Sequence, residues 1–262
     1  MAMLIDTSRC LGCQACVIAC KAGRELLPGE RWVEIREVVI GRFPELRGAF
    51  IPHRCFHCRN APCVQVCPTG ALYKQDGLTL VNFDRCSGCG YCVEVCPFGV
   101  PKIIDGRVSK CPSCIDLFQM GQEPWCLQTC PADVMVCGPR EKLLAEARAR
   151  VAALRERYPN AQIYGDTQMG GLAIFLILTE PPEVLGLPPQ PQVPPLAIWK
   201  NGVQPLSLGA LVLSVVTSGI AFFIARRRHL EEKNGAIRVS EVLSSSPDTE
   251  GESSSSHDTK GE

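Results

Sequence analysis

The stretch CSGCGYCVEVCPFGV, residues 86–100, places cysteines at positions 86, 89, 92 and 96 and a proline directly after the last. Its spacing is C-x2-C-x2-C-x3-C. The same spacing occurs in CLGCQACVIAC, with Cys10, Cys13, Cys16 and Cys20. Two looser sets accompany these. CFHCRNAPCVQVCP holds Cys55, Cys58, Cys63 and Cys67, and CPSC followed by CLQTCP holds Cys111, Cys114, Cys126 and Cys130. Of the 17 cysteines, only Cys137 in VMVCGPR falls outside the four sets. With no cysteine at ligand spacing, it reads as a buried apolar side chain.

Composition narrows what these thiols are for. The 262 residues include 27 basic and 27 acidic side chains, so charge gives no case for nucleic acid. The cysteine density lies far above that of an ordinary globular chain. A disulfide scaffold is normally a short secreted protein made with a signal peptide. The opening MAMLIDTSRC shows no basic segment followed by an apolar one, so no signal peptide is expected. Zinc sites prefer two CxxC pairs, or one pair with histidines, closing a single tetrahedron. Loops offering three thiols each suit zinc poorly. The spacing is instead that of bacterial ferredoxins, in which three thiolates hold one iron–sulfur cubane and the fourth reaches another.

The loop chemistry agrees. Two-residue gaps let a loop wrap three corners of a cubane, and the fourth cysteine is expected at the start of a short helix, pointing away. Pro68, Pro97 and Pro131 follow Cys67, Cys96 and Cys130 and turn the chain, whereas Cys20 is followed by Lys21. Gly12, Gly88 and Gly90 let backbone approach the sulfides and present N–H groups to them. His57, within CFHC, reads as a loop residue because no ligand is missing from its set.

The expected fold class is α+β: two ferredoxin-like two-cluster units, a helix and strand extension, and one C-terminal transmembrane helix. Residues 1–138 form the four-cluster domain. Sets two and three make one unit; sets one and four close on each other as the second. LTLVNFDRC (78–86) alternates enough for a strand, and CVEVCP is one helical turn. The extension spans 139–180. Its helix, 139–159, repeats Leu143, Ala147, Val151 and Leu154 on one face, and GGLAIFLIL (170–178) is a buried strand, too short to span a bilayer. Residues 181–205 read as a proline-rich extended linker. LSLGALVLSVVTSGIAFFIA (206–225) has bilayer-spanning length without a charge, and RRRH follows at once. Residues 226–262 read as a disordered cytoplasmic tail.

The positive-inside rule then puts the C-terminus in the cytoplasm and the cluster domain on the periplasmic face of the inner membrane. Clusters are assembled on reduced thiols inside the cell. The expectation is a protein that crosses already folded, bound to a partner with a twin-arginine signal.

The ordered sets, one C-x2-C-x4-C and one C-x2-C-x11-C, resemble the four-cluster electron-transfer subunits of membrane molybdopterin oxidoreductases. CGYCVEVCPFGVPK, KCPSC and GQEPWCLQTCP, then GLP and WK ahead of one apolar helix, are similar to the iron–sulfur (beta) subunit of respiratory formate dehydrogenase. The likeness covers most of residues 3–225. The sequence departs from it in a compact Cys20–Cys55 segment and a serine-rich tail. The resemblance implies four [4Fe–4S] clusters with crossed ligands. Cys10, Cys13 and Cys16 would join Cys130, and Cys111, Cys114 and Cys126 would join Cys20. Cys55, Cys58 and Cys63 would join Cys96, and Cys86, Cys89 and Cys92 would join Cys67.

It further implies a molybdopterin-containing catalytic subunit that oxidises formate, and a membrane cytochrome b subunit that passes electrons to quinone. No nucleophile–base set or phosphate loop is visible, so the protein itself is expected to transfer electrons rather than catalyse. The alternative is the equivalent subunit of a periplasmic hydrogenase or another molybdopterin oxidoreductase. Arg9, Lys21, Arg85, Lys102 and Lys110 stand near ligands as candidates for raising cluster potentials or meeting partners.

Overall fold

The computed structural model describes residues 1–192 and 204–244. The protein divides into two units, Met1–Gln204 and Pro205–Glu262.

The first unit is organised around a four-stranded sheet of order β8-β1-β10-β9, formed by β1 (Ala2–Asp6), β8 (Met135–Gly138), β9 (Gln162–Tyr164) and β10 (Ile174–Leu178). β1 runs parallel to β10, from Met3 opposite Ile174 to Asp6 opposite Ile177. Both central strands are apolar without alternation because both faces of the sheet are covered. Met3, Ile5, Ile174, Leu176 and Leu178 face the core beneath the cysteine loops. Ala2, Leu4, Phe175 and Ile177 face Leu143, Leu144, Ala147 and Val151 of the helix α6 (Arg140–Leu154). Each fully buried aliphatic or aromatic side chain here stabilises by about 1.5–3 kcal/mol.

The other described strands form three hairpins. β2 (Val33–Ile40) pairs with β3 (Arg47–Arg54) over eight residues. β4 (Leu72–Gln75) pairs with β5 (Leu78–Val81), and β6 (Lys102–Ile104) with β7 (Arg107–Ser109). The last two turn on Asp76-Gly77 and Asp105-Gly106, all four residues at positive φ. That is the two-residue loop whose twist matches a hairpin. Between these strands lie α1 (Ala15–Gly23), α2 (Pro62–Gln65), α3 (Tyr91–Glu94), α4 (Ile115–Gln119) and α5 (Trp125–Gln128).

Several sequence expectations need correction. The strand at 78–86 stops at Val81; Phe83–Arg85 form a 3-10 turn, with Asn82 accepting from the Asp84 N–H. Within the extension 139–180, β10 is a central strand of the sheet begun by β1 and α6 packs on that sheet. The proline-rich segment is not extended throughout. Turns over 182–186 place Leu185 and Leu187 in the core, and the Tyr164 hydroxyl donates to the Pro188 carbonyl. The expected linker residues 193–203 lie outside the described residues. So do residues 245–262 of the expected tail.

In the second unit, α7 (Gln204–Ser244) is one continuous helix. It contains a span, Gly209–Glu231, long and apolar enough to cross a membrane. At 1.5 Å rise per residue the helix's uncharged stretch, ending at residue 225, is about as long as a bilayer core is thick. The helix runs past the expected boundary at 225, so the first part of the expected disordered tail is helical. An Arg227–Glu231 pair at 3.0 Å, one turn apart, supports that continuation.

Candidate iron–sulfur sites

Two pairs of short helices organise the thiols. Cys16 and Cys20 stand four residues apart on α1, and Cys126 and Cys130 four apart on and just past α5. Cys63 and Cys67 repeat the arrangement on α2, and Cys92 and Cys96 on α3. Four residues is one helical turn, so each helix presents two thiols side by side on one face. α1 packs on α5 and α2 on α3. The fourth cysteine of a set was expected at the start of its helix. In α2, α3 and α5 it lies just beyond the end, where the proline stops the helix. α1 has Lys21 there instead and runs on to Gly23, nine residues against four in the others. The departure at Cys20 is therefore a longer helix. It lets Gly23 pack beneath the Trp125 ring, where a Cβ would come within 2.6 Å.

Three cavities are each lined by four thiols drawn from two sets. One is lined by Cys10, Cys13, Cys16 and Cys130, a second by Cys67, Cys86, Cys89 and Cys92, and a third by Cys55, Cys58, Cys63 and Cys96. Including space open to solvent they measure about 340, 310 and 370 Å³. The remaining four also meet. Cys20 lies within electrostatic reach of Cys111, Cys126 and Cys114, and all four are buried. Among the described residues, no three His, Cys, Asp or Glu side chains converge to hold a single metal ion. The thiols line cavity walls instead, a disposition suited to a body several ångström across.

Burial and mutual repulsion of the sulfurs push the Cys16, Cys20 and Cys63 thiols up to about 12 and the Cys92 thiol to about 11. Four thiolates gathered at one site need a cationic centre, which an iron core supplies. Cys67 differs: burial raises it, but the backbone N–H groups of Leu72, Thr69 and Ala71 and the Thr69 hydroxyl outweigh this and lower it. Other N–H groups also aim at sulfur. Val108 donates to Cys86 at 3.4 Å, Val134 to Cys130 at 3.4 Å and Ser113 to Cys111 at 3.3 Å.

The loop glycines are all left-handed, Gly12 and Gly88 at φ +67° and Gly90 at +81°. Close packing adds a second reason at two of them. A Cβ on Gly12 would strike the Phe50 ring, and one on Gly88 the Gly106 carbonyl oxygen.

His57 is a loop residue, as expected, and a buried one. It is 1 % exposed, and its Nδ1 accepts from the Thr79 N–H at 3.0 Å. Its loop is pinned by Ile174 and Ala173 N–H groups donating to the Phe56 and His57 carbonyls. Cys137 is half-buried on β8 against the core, its thiol pushed up to about 12 by burial.

Of the five basic candidates, Lys110 alone is buried beside a thiol cavity; it donates to the Thr79 and Cys111 carbonyls at 2.5 and 3.0 Å. Arg9 reaches the Asp133 carbonyl, Lys21 those of Leu27 and Glu30, and Lys102 the Glu34 carboxylate. Sequence reading passed over Arg54, whose guanidinium donates to Cys126 Sγ at 3.0 Å and Cys111 Sγ at 2.9 Å. It also passed over Arg24, beside Cys114 and paired with Asp116, and Lys74, which donates to the Cys58 carbonyl. Signals existed: Arg54 directly precedes Cys55, and Arg24 lies one helical turn past Cys20.

Thiol-lined cavities bridged by short helices, in an α+β frame, define a multi-cluster iron–sulfur electron carrier. Models of the 4Fe–4S dicluster domain match residues 46–140 and 9–71. The sequence is 31 % identical over 237 residues to the nitrate-inducible formate dehydrogenase iron–sulfur subunit of Escherichia coli, covering 81 % of each protein. It is 32 % identical over 245 residues to the formate dehydrogenase iron–sulfur subunit of Haemophilus influenzae, covering 82 % of this protein and 78 % of that one. It is 36 % identical over 150 residues to the B subunit of anaerobic dimethyl sulfoxide reductase of E. coli, covering 53 % and 73 %. This protein belongs to the family of formate dehydrogenase iron–sulfur subunits. It is a non-catalytic electron-transfer subunit with four [4Fe–4S] clusters, and its family works within complexes beside a catalytic partner.

Proposed function

We propose that the four thiol sets each hold one cluster with the crossed ligands named above, and that the clusters form a single ordered wire. The juxtaposition of thiols from different sets at shared cavities supports the assignment. The order follows from the bridges. α1 and α5 join the Cys10/Cys13/Cys16/Cys130 site to the Cys20/Cys111/Cys114/Cys126 site. The consecutive pairs Arg54–Cys55 and Lys110–Cys111 join the latter to the Cys55/Cys58/Cys63/Cys96 site. α2 and α3 lead on to the Cys67/Cys86/Cys89/Cys92 site. The two end sites hold the exposed thiols Cys13 and Cys89. Exposed apolar side chains flank them, Leu11 and Ile18 at one end and Phe83 and Tyr91 at the other. These ends are where electrons enter and leave.

In this reading the catalytic partner is a molybdopterin or tungstopterin enzyme that oxidises formate, and a cytochrome b subunit in the membrane takes the electrons to quinone. The similarity to formate dehydrogenase subunits over four-fifths of the sequence supports formate. The shorter match to the dimethyl sulfoxide reductase B subunit favours a second reading, the same wire serving another reductase. In this reading α7 anchors the protein, and Arg226, Arg227 and Arg228 after the apolar stretch support an orientation with the C-terminal end in the cytoplasm and the cluster unit on the periplasmic face. Protease applied to spheroplasts then removes the cluster unit; digestion of the tail alone reverses the orientation. The deciding experiment isolates the complex in detergent, counts iron and adds formate. About sixteen irons per copy of this subunit, with bleaching of its cluster absorbance by formate, is the expected result. Full iron without bleaching transfers the wire to another substrate, and a subunit without iron refutes the site assignment.

A further inference from the structure

Positive charge is distributed unequally among the four sites. Among the described residues, the cavity of Cys67, Cys86, Cys89 and Cys92 is lined by no basic side chain, and neither is that of Cys10, Cys13, Cys16 and Cys130. Lys110 lines the Cys55 cavity, but its ammonium is turned to the carbonyls of Thr79 and Cys111. At the Cys20 site a cation meets sulfur directly. Arg54, 1 % exposed, points one terminal nitrogen at Cys126 and the other at Cys111. Nη1 also lies 3.6 Å from Met3 Sδ, and Nε is buried without a partner.

Resting on the ligand assignment above, we propose that Arg54 makes the cluster held by Cys20, Cys111, Cys114 and Cys126 the highest-potential station of the wire. Each electron arriving from a neighbouring cluster adds one negative charge to the site and leaves for the next cluster, with no bond made or broken. A buried cation on two ligand sulfurs favours the reduced state, because cluster potential rises with nearby positive charge and with hydrogen bonds to sulfur. The planar guanidinium spans two sulfurs at fixed geometry, which a lysine cannot do. Little else neutralises Arg54, so its desolvation is offset chiefly by the cluster itself. Arg24 is a weaker contributor, since Asp116 already holds it at 2.6 and 2.7 Å. Electrons therefore settle one site inward from the Cys10 end, in a site whose four thiols are all buried.

The test is a redox titration of the detergent-purified complex, followed by electron paramagnetic resonance, with iron counted in each sample. Wild-type iron content and the presence of four reduction steps check the ligand assignment separately. In Arg54→Gln the highest step moves down. Its balance of reduced to oxidised cluster falls about tenfold, or 59 mV for a one-electron couple, while the lowest steps stay in place. Arg54→Lys lowers the same step by less. Should Arg54→Gln fail to assemble, Arg54→Lys and Arg24→Gln decide, and both lower the highest step. Unchanged titrations in the variants that assemble, or movement of a lower step instead, overturn the proposal.

Discussion

Replacing Phe56 by alanine should loosen one cluster and leave the others. The side chain is 1 % exposed and lies between Cys55 and His57 on the wall of the Cys55 cavity. Its ring meets His53 edge-on at 5.8 Å and Phe98 at 4.8 Å, with interplanar angles of 84° and 66°. Truncation of a buried phenylalanine costs about 3–5 kcal/mol, which includes about 0.5–1.5 kcal/mol for each aromatic pair lost. At about 1.36 kcal/mol per power of ten, local opening of that segment becomes favoured by roughly two to three and a half powers of ten. The assay is iron release from the intact complex to a strong chelator, followed by visible absorbance, under conditions where opening equilibrates before capture. One quarter of the iron leaves roughly a hundredfold or more faster than in wild type. Phe56→Leu keeps most of the volume, costs under about 1.5 kcal/mol and speeds release about tenfold at most. Wild-type release rates in Phe56→Ala, or equal acceleration of all four clusters, would refute the reasoning.

Crossed ligation predicts that Cys130→Ala removes the same paramagnetic signal as Cys10→Ala, and Cys126→Ala the same signal as Cys20→Ala. If Cys130→Ala instead matches Cys111→Ala, the sets are not crossed. Gly88→Ala and Gly99→Ala separate crowding from backbone strain. Both sites have positive φ, but an added Cβ meets the Gly106 carbonyl at Gly88 and open space at Gly99. Gly99→Ala should lose about 1–2 kcal/mol from the left-handed backbone alone, and Gly88→Ala distinctly more, read as the temperature at which cluster absorbance is lost. Equal losses would dismiss the contact.

The thiol framework was legible because ligand spacing is a local property: one helical turn separates the two cysteines of each pair, and a reader of residues 86–96 sees it. Spacing implied that a fourth thiol reaches another site, but which set it reaches was not readable from it, since Cys10 and Cys130 lie 120 positions apart; the family resemblance supplied the proposed pairing. The β2–β3 hairpin went unnoticed, although it delivers Arg54 beside Cys111 and Cys126. Its apolar residues are mostly half-buried, so no clean alternation marks VEIREVVI. The Asp-Gly pairs at 76–77 and 105–106 were plain turn signals that the density of cysteines overshadowed. Leu185 and Leu187 were hidden among prolines, whose count suggested an extended strap while their spacing formed turns. The apolar span was read correctly in kind. Its helix continues because the charged residues after Arg226 are good helix formers, and charge ends a membrane segment without ending a helix.

The pairing of β1 with β10 governs when this molecule can become itself. β1 lies against a strand some 170 positions later in the sequence, a closure fastened by the Thr7 hydroxyl donating to the Ile177 carbonyl at 2.7 Å. Cys10, Cys13 and Cys16 in turn depend on α5 and β8 to bring Cys130 opposite them. A nascent polypeptide can form its Asp-Gly hairpins and the middle thiol pair early, from contacts close in sequence. The sheet beside the Cys10 site is complete only with β10, its most distant strand from β1 in the sequence. Contacts near in sequence thus suffice for the thiols of residues 55–96, whereas those of residues 10–20 depend on pairing with elements more than a hundred positions away.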